Sequence, residues 1–205
     1  YCSITGYGQT GPWAHYAGHD LNYIAMTGLL EQNGTPGSAP AIPDFQIGDL
    51  LGGSLTSLVG VLTAVIGAKA TGQGCHVDVA MADALLVHSV LPLAAMQTSE
   101  GLASRGEGPM TGASPGYGVY ATADDRYLAV GAIESKFWQT LCVAVGLPAL
   151  AKVDMTHVAD MTYAREMLAT VIKAQPLAYW EKTLIPLDCC VTPVLCVVEA
   201  VNHPQ

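Results

Sequence analysis

Gly18-His19-Asp20-Leu21-Asn22-Tyr23 sets an imidazole and a carboxylate at the head of an apolar-periodic run, Leu21, Ile24, Ala25, Gly28 and Leu29. Asp20 is the expected helix cap, because its carboxylate can accept N–H groups left unpaired in the first turn. His19 then precedes the helix start, where free N–H groups and the helix dipole favour negative charge on a bound group. A titratable imidazole beside an end that can hold an oxyanion is a catalytic arrangement; the same hexapeptide also reads as a cap with an incidental histidine. A second carboxylate, Asp49, stands near the start of the most apolar stretch, Phe45 to Ala70, where only Asp49 and Lys69 carry charge. An ionised, unpaired carboxylate there is costly. It must be paired, placed at the helix N-terminus, or used. Burial would raise its pKa and the dipole would lower it, and a carboxyl between two such influences suits proton transfer. A plain dipole partner is the competing reading.

Composition bounds what surrounds these groups. The 205 residues suffice for one medium domain or parts of two, and 51% apolar with 12% charged residues describes a chain that buries much of itself, in its own core or against another chain. Disorder is excluded. A net charge of −9 argues against nucleic acid or an anionic membrane surface as partner. Lys69 is the only basic residue before Glu100, so a phosphate-bearing ligand in that half relies on backbone N–H groups or on residues outside this chain. The six cysteines, Cys2, Cys75, Cys142, Cys189, Cys190 and Cys196, have neither zinc-ligand spacing nor an obvious pairing. They read as reduced, mostly buried thiols of a cytoplasm-like compartment, with the organelle left open. The chain opens on a strand-like Tyr1–Thr5 with no initiator Met, which reads as a piece of a longer protein.

The elements that must position the two acid groups follow in order. Gly6-Tyr7-Gly8-Gln9-Thr10-Gly11 is a loop whose glycines allow close backbone approach to a ligand. It fits G-x-G-x-x-G, yet Pro12 and Trp13 follow where the dinucleotide fingerprint needs a helix. Residues 19–30 form the capped helix. In the apolar stretch, Gly48, Gly52, Thr56, Gly60, Ala64 and Ala68 recur every four residues, a stripe along which another backbone can pack. That stripe, the frequent Gly, Ser and Thr, and the lack of a flanking basic cluster favour a buried helix of a soluble protein over a membrane span. Cys75–Val79 alternates as a strand, and residues 80–96 form a second apolar helix. Thr98–Ser114, rich in Gly, Ser and Glu, reads as a linker between domains. Beyond it, Tyr117–Thr122 and Tyr127–Ala132 form a hairpin around Asp124-Asp125, and Glu134 stands at the mouth of a helix over 136–145. Helices over 163–174 and 177–184, a strand over 190–196 and a short helix over 197–201 complete a small α+β unit.

Five segments, in order, carry a family resemblance: Ser3 through Pro12, Gly18 through Tyr23, Asp49 opening an apolar helix, Gly131-Ala132-Ile133-Glu134, and Val191-Thr192-Pro193-Val194-Leu195. Over essentially its whole length the chain resembles the class III CoA-transferase superfamily, and within it the α-methylacyl-CoA racemase branch. The resemblance implies an α/β fold: a partial Rossmann-like large domain over 1–80, a helix and linker over 81–116, and a small α+β domain over 117–205. It also implies that full-length chains form an interlocked homodimer, and that much of the CoA nucleotide grip lies outside these residues.

The chemistry implied is isomerisation of a 2-methylacyl-CoA thioester through an enolate. Inverting a carbon beside a thioester needs one group to remove a proton and another to deliver one to the opposite face, with a donor at the enolate oxygen. By the resemblance, His19 paired with Glu134 serves one face and Asp49 the other, and the Asp20 N–H is the donor. Gly18, His19, Asp20, Leu21, Asn22 and Tyr23 line the thioester and pantetheine end, and apolar helices near Asp49 supply the acyl pocket. CoA enters as part of the substrate, with no separate cofactor and no metal. The alternative within the superfamily is a CoA-transferase in which Asp49 is a covalent nucleophile. Gly106-Glu107-Gly108-Pro109-Met110-Thr111-Gly112 lacks the consecutive glycines usual in a transferase flap, which favours the racemase. A third reading is a non-catalytic piece whose apolar surface simply pairs.

Overall fold

Two short parallel strands frame the first part of the computed structural model, which describes residues 1–98 and 101–205. The chain divides into two units, Tyr1–Gly106 and Glu107–Gln205. In the first, β1 (Cys2–Thr5) is followed by α1 (Asp20–Met26), α2 (Leu29–Gln32), a π-helical segment (Gly48–Leu55) that runs straight into α3 (Thr56–Thr71), β2 (Val77–Ala80), α4 (Met81–His88) and α5 (Val90–Ala95). β2 pairs with β1 in parallel, Cys2 opposite Val77 and Thr5 opposite Ala80, so α3 belongs to the crossover between them. Gly60 is where α3 meets the sheet: a Cβ there would lie 2.7 Å from Val77. The core of this unit is small, with Tyr23, Ile24 and Leu85 buried and Tyr7, Ile47 and Met81 packed on them.

Several local expectations change. The helix expected over 19–30 breaks at Gly28, which takes a left-handed φ of 81° and starts α2 in a new direction. The helix expected over 80–96 breaks at Ser89, whose ψ of 47° is not helical. Its hydroxyl donates to the Leu85 carbonyl (3.0 Å), and Pro92 then falls in the first turn of α5, where its missing N–H costs nothing. The apolar helix expected to be buried is largely open within this chain. Of α3 only Ser57 is buried, while Leu62 is 55% and Ile66 69% exposed. By length and composition Gly48–Thr71 is apolar enough to cross a membrane, a property that core helices of soluble proteins share.

The stretch expected to be a linker, Thr98–Ser114, is anchored in part; Ser99 and Glu100 of it lie outside the described residues. The Arg105 guanidinium donates to the Glu31 and Ser38 carbonyls and meets the Glu31 carboxylate at 3.0 Å. Residues up to Gly106 thereby stay with the first unit.

In the second unit β3 (Tyr117–Ala121), β4 (Tyr127–Gly131) and, after α6 (Ser135–Ala144), α7 (Val158–Lys173) and α8 (Leu177–Leu184), β5 (Val191–Pro193) form an antiparallel sheet in the order β3-β4-β5, and α9 (Val197–Val201) ends the chain. Leu128, Val130 and Val191 from the sheet meet Trp138, Leu141, Leu168, Ile172, Trp180 and Leu184 from the helices in one buried core. Both indoles are satisfied there: Trp138 Nε1 donates to the Leu150 carbonyl at 3.1 Å and Trp180 Nε1 to the Ile172 carbonyl at 2.8 Å. All six cysteines are free. Only Cys142 and Cys189 are buried, which corrects the expectation of mostly buried thiols, and burial pushes the Cys142 thiol up to about 11.

Three carboxylates tie this unit's loops to its helices. Asp124 accepts the Thr122 hydroxyl (2.5 Å) and the Leu177 N–H (3.1 Å) at the start of α8. Glu199 accepts the Cys196 N–H (2.8 Å) and meets Arg126 (2.7 Å), and Asp154 accepts from Thr156. These donors hold all three below their ordinary values of 3.8, 4.5 and 3.8 respectively. A carboxyl whose folded pKa is depressed stabilises fully above its unfolded value and loses that contribution as pH falls through the folded value. Acid titration followed by Trp fluorescence is therefore expected to show the second unit losing stability below about pH 4.5, with a shallower loss in Asp124→Asn.

Candidate active site

His19, not Asp20, is the N-cap of α1, with extended backbone (φ −127°, ψ 176°), and Asp20 is the first helical residue. The Asn22 side chain reaches back and accepts the His19 N–H at 3.0 Å, while the His19 carbonyl accepts from Asn22 (2.8 Å) and Tyr23 (3.3 Å). Among the described residues, those bonds leave the N–H groups of Asp20 and Leu21 as the free donors of this helix end. The capping role expected of the Asp20 carboxylate is not realised; the Asn22 side chain instead reaches back to the N–H of the N-cap residue. Asp20 points elsewhere: its Oδ1 accepts the backbone N–H of Asp49 at 3.0 Å.

Asp49 is the second residue of the π-helical segment, in its first turn and exposed. The burial cost expected for this carboxylate does not arise; the dipole position does. The segment widens for a visible reason. The Ser54 hydroxyl donates to the Asp49 carbonyl (3.1 Å) and the Thr56 hydroxyl to the Leu51 carbonyl (2.8 Å), each reaching back five residues. These are the carbonyls a π turn offers in place of the four-residue α pattern. Gly48 and Gly52 let the segment settle against its neighbours: a Cβ on Gly48 would lie 2.8 Å from Asp20 Oδ1, and one on Gly52 2.9 Å from the Met81 carbonyl.

Tyr23 closes the site from beneath. Its hydroxyl donates to the Gly18 carbonyl at 2.6 Å, pinning the residue before His19, and its ring meets Tyr7 edge-on at 5.1 Å. Burial, then Tyr7 and Asp49, push its phenol upward, so it remains a donor. Gly6 exists to admit this ring, since a Cβ there would stand 2.4 Å from Tyr23 Cε1. At Gly6 the close approach expected toward a ligand is made to the protein's own tyrosine. Gly6→Ala is expected to displace Tyr23 and to cost about 1–3 kcal/mol by overpacking. Thermal unfolding checks this against Gly67→Ala, a helical site with open space around it.

Among the remaining candidates, Leu21 is 40% exposed at the helix end. An apolar hollow of about 210 Å³ lies beside α1, lined by Ile24, Leu29, Leu30, Phe45 and Ile47. Glu134 belongs to the second unit, where it is the exposed N-cap residue of α6. The first unit therefore brings His19, Asp20, Asn22, Tyr23 and Asp49 together. Sequence reasoning missed the tie between Asp20 and Asp49 and the dependence of Gly18 on Tyr23 and Gly6, contacts that no local spacing encodes.

A parallel βαβ-type unit followed by a small antiparallel α+β unit is the class III CoA-transferase fold. A solved CAIB/BAIF family protein from Brucella suis superposes on all of this chain with a TM-score of 0.79 at 24% identity, the chain covering 55% of that protein. The sequence matches CoA-transferase family III over residues 1–205, and the chain belongs to that family. It is 32% identical over 203 residues to the alpha-methylacyl-CoA racemase of Homo sapiens, covering 99% of this chain and 53% of that protein. It is 29% identical over 214 residues to the acetyl-CoA:oxalate CoA-transferase of Acetobacter aceti, covering 100% and 54%. The chain thus spans about half the length of these curated relatives.

Proposed function

We propose that this chain carries the proton-transfer centre of an acyl-CoA racemase acting on 2-methylacyl thioesters. One observation carries the reading: His19 at the start of α1 and Asp49 in the first turn of the π-helical segment are tied together along the backbone by the Asp20 carboxylate, which accepts the Asp49 N–H at 3.0 Å. In this reading His19 or Asp49 takes the α-proton, and the C–H electron pair moves into the enolate. Its negative oxygen accepts the free Asp20 N–H at the helix end. The conjugate acid on the opposite face returns a proton and completes the inversion. The hollow beside Ile24 and Ile47 takes the acyl chain. CoA comes and goes with the substrate, the full-length protein works as a homodimer, and its setting is the cytoplasm.

The similarity to a CoA-transferase supports a second reading, in which Asp49 attacks the thioester carbonyl and CoA passes to another acid. Incubating the full-length protein with a 2-methylacyl-CoA in deuterated water, without an acceptor acid, separates the two. Deuterium at the α-carbon with inversion is the expected result. No uptake, together with CoA transfer to added oxalate or succinate, would make the protein a transferase.

A further inference from the structure

We infer that the Asp20 carboxylate is a positioning residue that sets where Asp49 stands relative to His19; the inference deepens the proton-transfer reading and rests on it. Asp49 lies in the first turn of its helical segment, so its N–H has no intrahelical acceptor. The acceptor it finds is Asp20 Oδ1, at 3.0 Å and 29 residues away in sequence. Asp20 follows His19 directly, and His19 is itself held by Asn22. The two candidate bases are therefore linked by one peptide bond, one short side chain and one charge-assisted hydrogen bond. Gly48 keeps the link short, because a Cβ there would occupy the space 2.8 Å from the same oxygen.

Asp20 thus has two separable parts. Its N–H belongs to the helix end that would meet the enolate oxygen. Its side chain caps a different helical segment, the one bearing the opposing base. Misplacing a reacting group by about 1 Å can cost on the order of a hundredfold in rate, so the link has a kinetic consequence beyond stability. Asp20→Ala keeps the N–H and cuts the link. Asp20→Asn keeps an acceptor oxygen at the same reach. Asp20→Ser, one bond shorter, takes the place of Asp20→Ala should that variant not fold.

The test uses the full-length protein and each enantiomer of a 2-methylacyl-CoA separately, in deuterated water. In Asp20→Ala, inversion is expected to fall about a hundredfold. The enantiomer whose α-hydrogen faces His19 keeps exchanging without inverting, and the other stops exchanging. Asp20→Asn is expected to restore inversion and symmetric exchange. Equal loss of exchange for both enantiomers, no loss, or no recovery in Asp20→Asn overturns the inference. Hydrogen–deuterium exchange over residues 46–52 reads the link itself without turnover, and unchanged protection in Asp20→Ala also overturns it. Should the wild type transfer CoA without α-exchange, the racemase reading fails. The same variants are then scored on transfer, which must drop in Asp20→Ala and return in Asp20→Asn for the inference to stand.

Discussion

Asp49→Asn in the full-length protein is expected to lower inversion of a 2-methylacyl-CoA by about 10²–10⁴-fold, the usual worth of a positioned acid–base group. The amide is nearly isosteric and its backbone N–H still reaches Asp20, so folding should be unchanged. It cannot take a proton, so the enantiomer whose α-hydrogen faces it should no longer exchange with solvent. His19→Ala is expected to give the mirror pattern, exchange lost from the other enantiomer. Mass spectrometry of deuterium uptake from each enantiomer checks both. If Asp49 were a nucleophile instead, Asn would abolish CoA transfer and the two enantiomers would behave alike.

Trp180→Ala has the largest expected effect on stability, about 3–5 kcal/mol from the lost burial and the cavity left behind. Trp180 is 3% exposed and belongs to the second unit's buried core. Its indole N–H also donates to the Ile172 carbonyl at the end of α7, at 2.8 Å. A loss of that size is a large part of the roughly 5–15 kcal/mol that holds a typical domain together. Thermal unfolding of the full-length protein, followed through Trp138, is expected to show a midpoint lower by more than about 10 °C. Val197→Ala, at an 80% exposed position of α9, should stay within about 0.5 kcal/mol of wild type.

Local chemistry made some elements legible and left others closed. The hairpin followed from alternation around Asp124-Asp125, and α8 from Pro176 followed by an amphipathic run, because turn residues and periodicity act within a few residues. The break at Ser89 was masked by the apolar run on both sides of it. The swap of caps at α1 was hidden because Asp20 is as good a cap as any by type; only the distant Asp49 N–H draws it away. Burial of α3 was expected from its stripe of small residues, its Gly, Ser and Thr and the lack of a flanking basic cluster, yet these report that a face can pack and not whether this chain covers it. His19 and Asp49 stood out by residue type, whereas Glu134 entered through resemblance to a family. Gly6 makes room for Tyr23 across 17 positions, a relation that exists only in three dimensions.

The π-helical segment has a consequence for how this chain tolerates changes in length. Because α3 continues from it without a break, the rod changes pitch midway, and its two ends are out of step by the extra residue the wider turn holds. Four residues overshoot an α turn of about 3.6 residues and fall short of the wider one. The glycines spaced by four therefore drift one way and then back, which keeps Gly48, Gly52 and Gly60 turned toward their neighbours. Losing one residue between Leu50 and Leu55 would let the backbone relax into ordinary α-helix with its ladder intact. Asp49 would keep nearly its azimuth relative to the face α3 lays on β2, because the wide turn had held the residue removed; the same deletion within α3, where no wide turn absorbs it, would swing Asp49 by about 100°. The segment is slack in the rod: a one-residue loss there is absorbed, and the same loss a few residues later turns the carboxylate away.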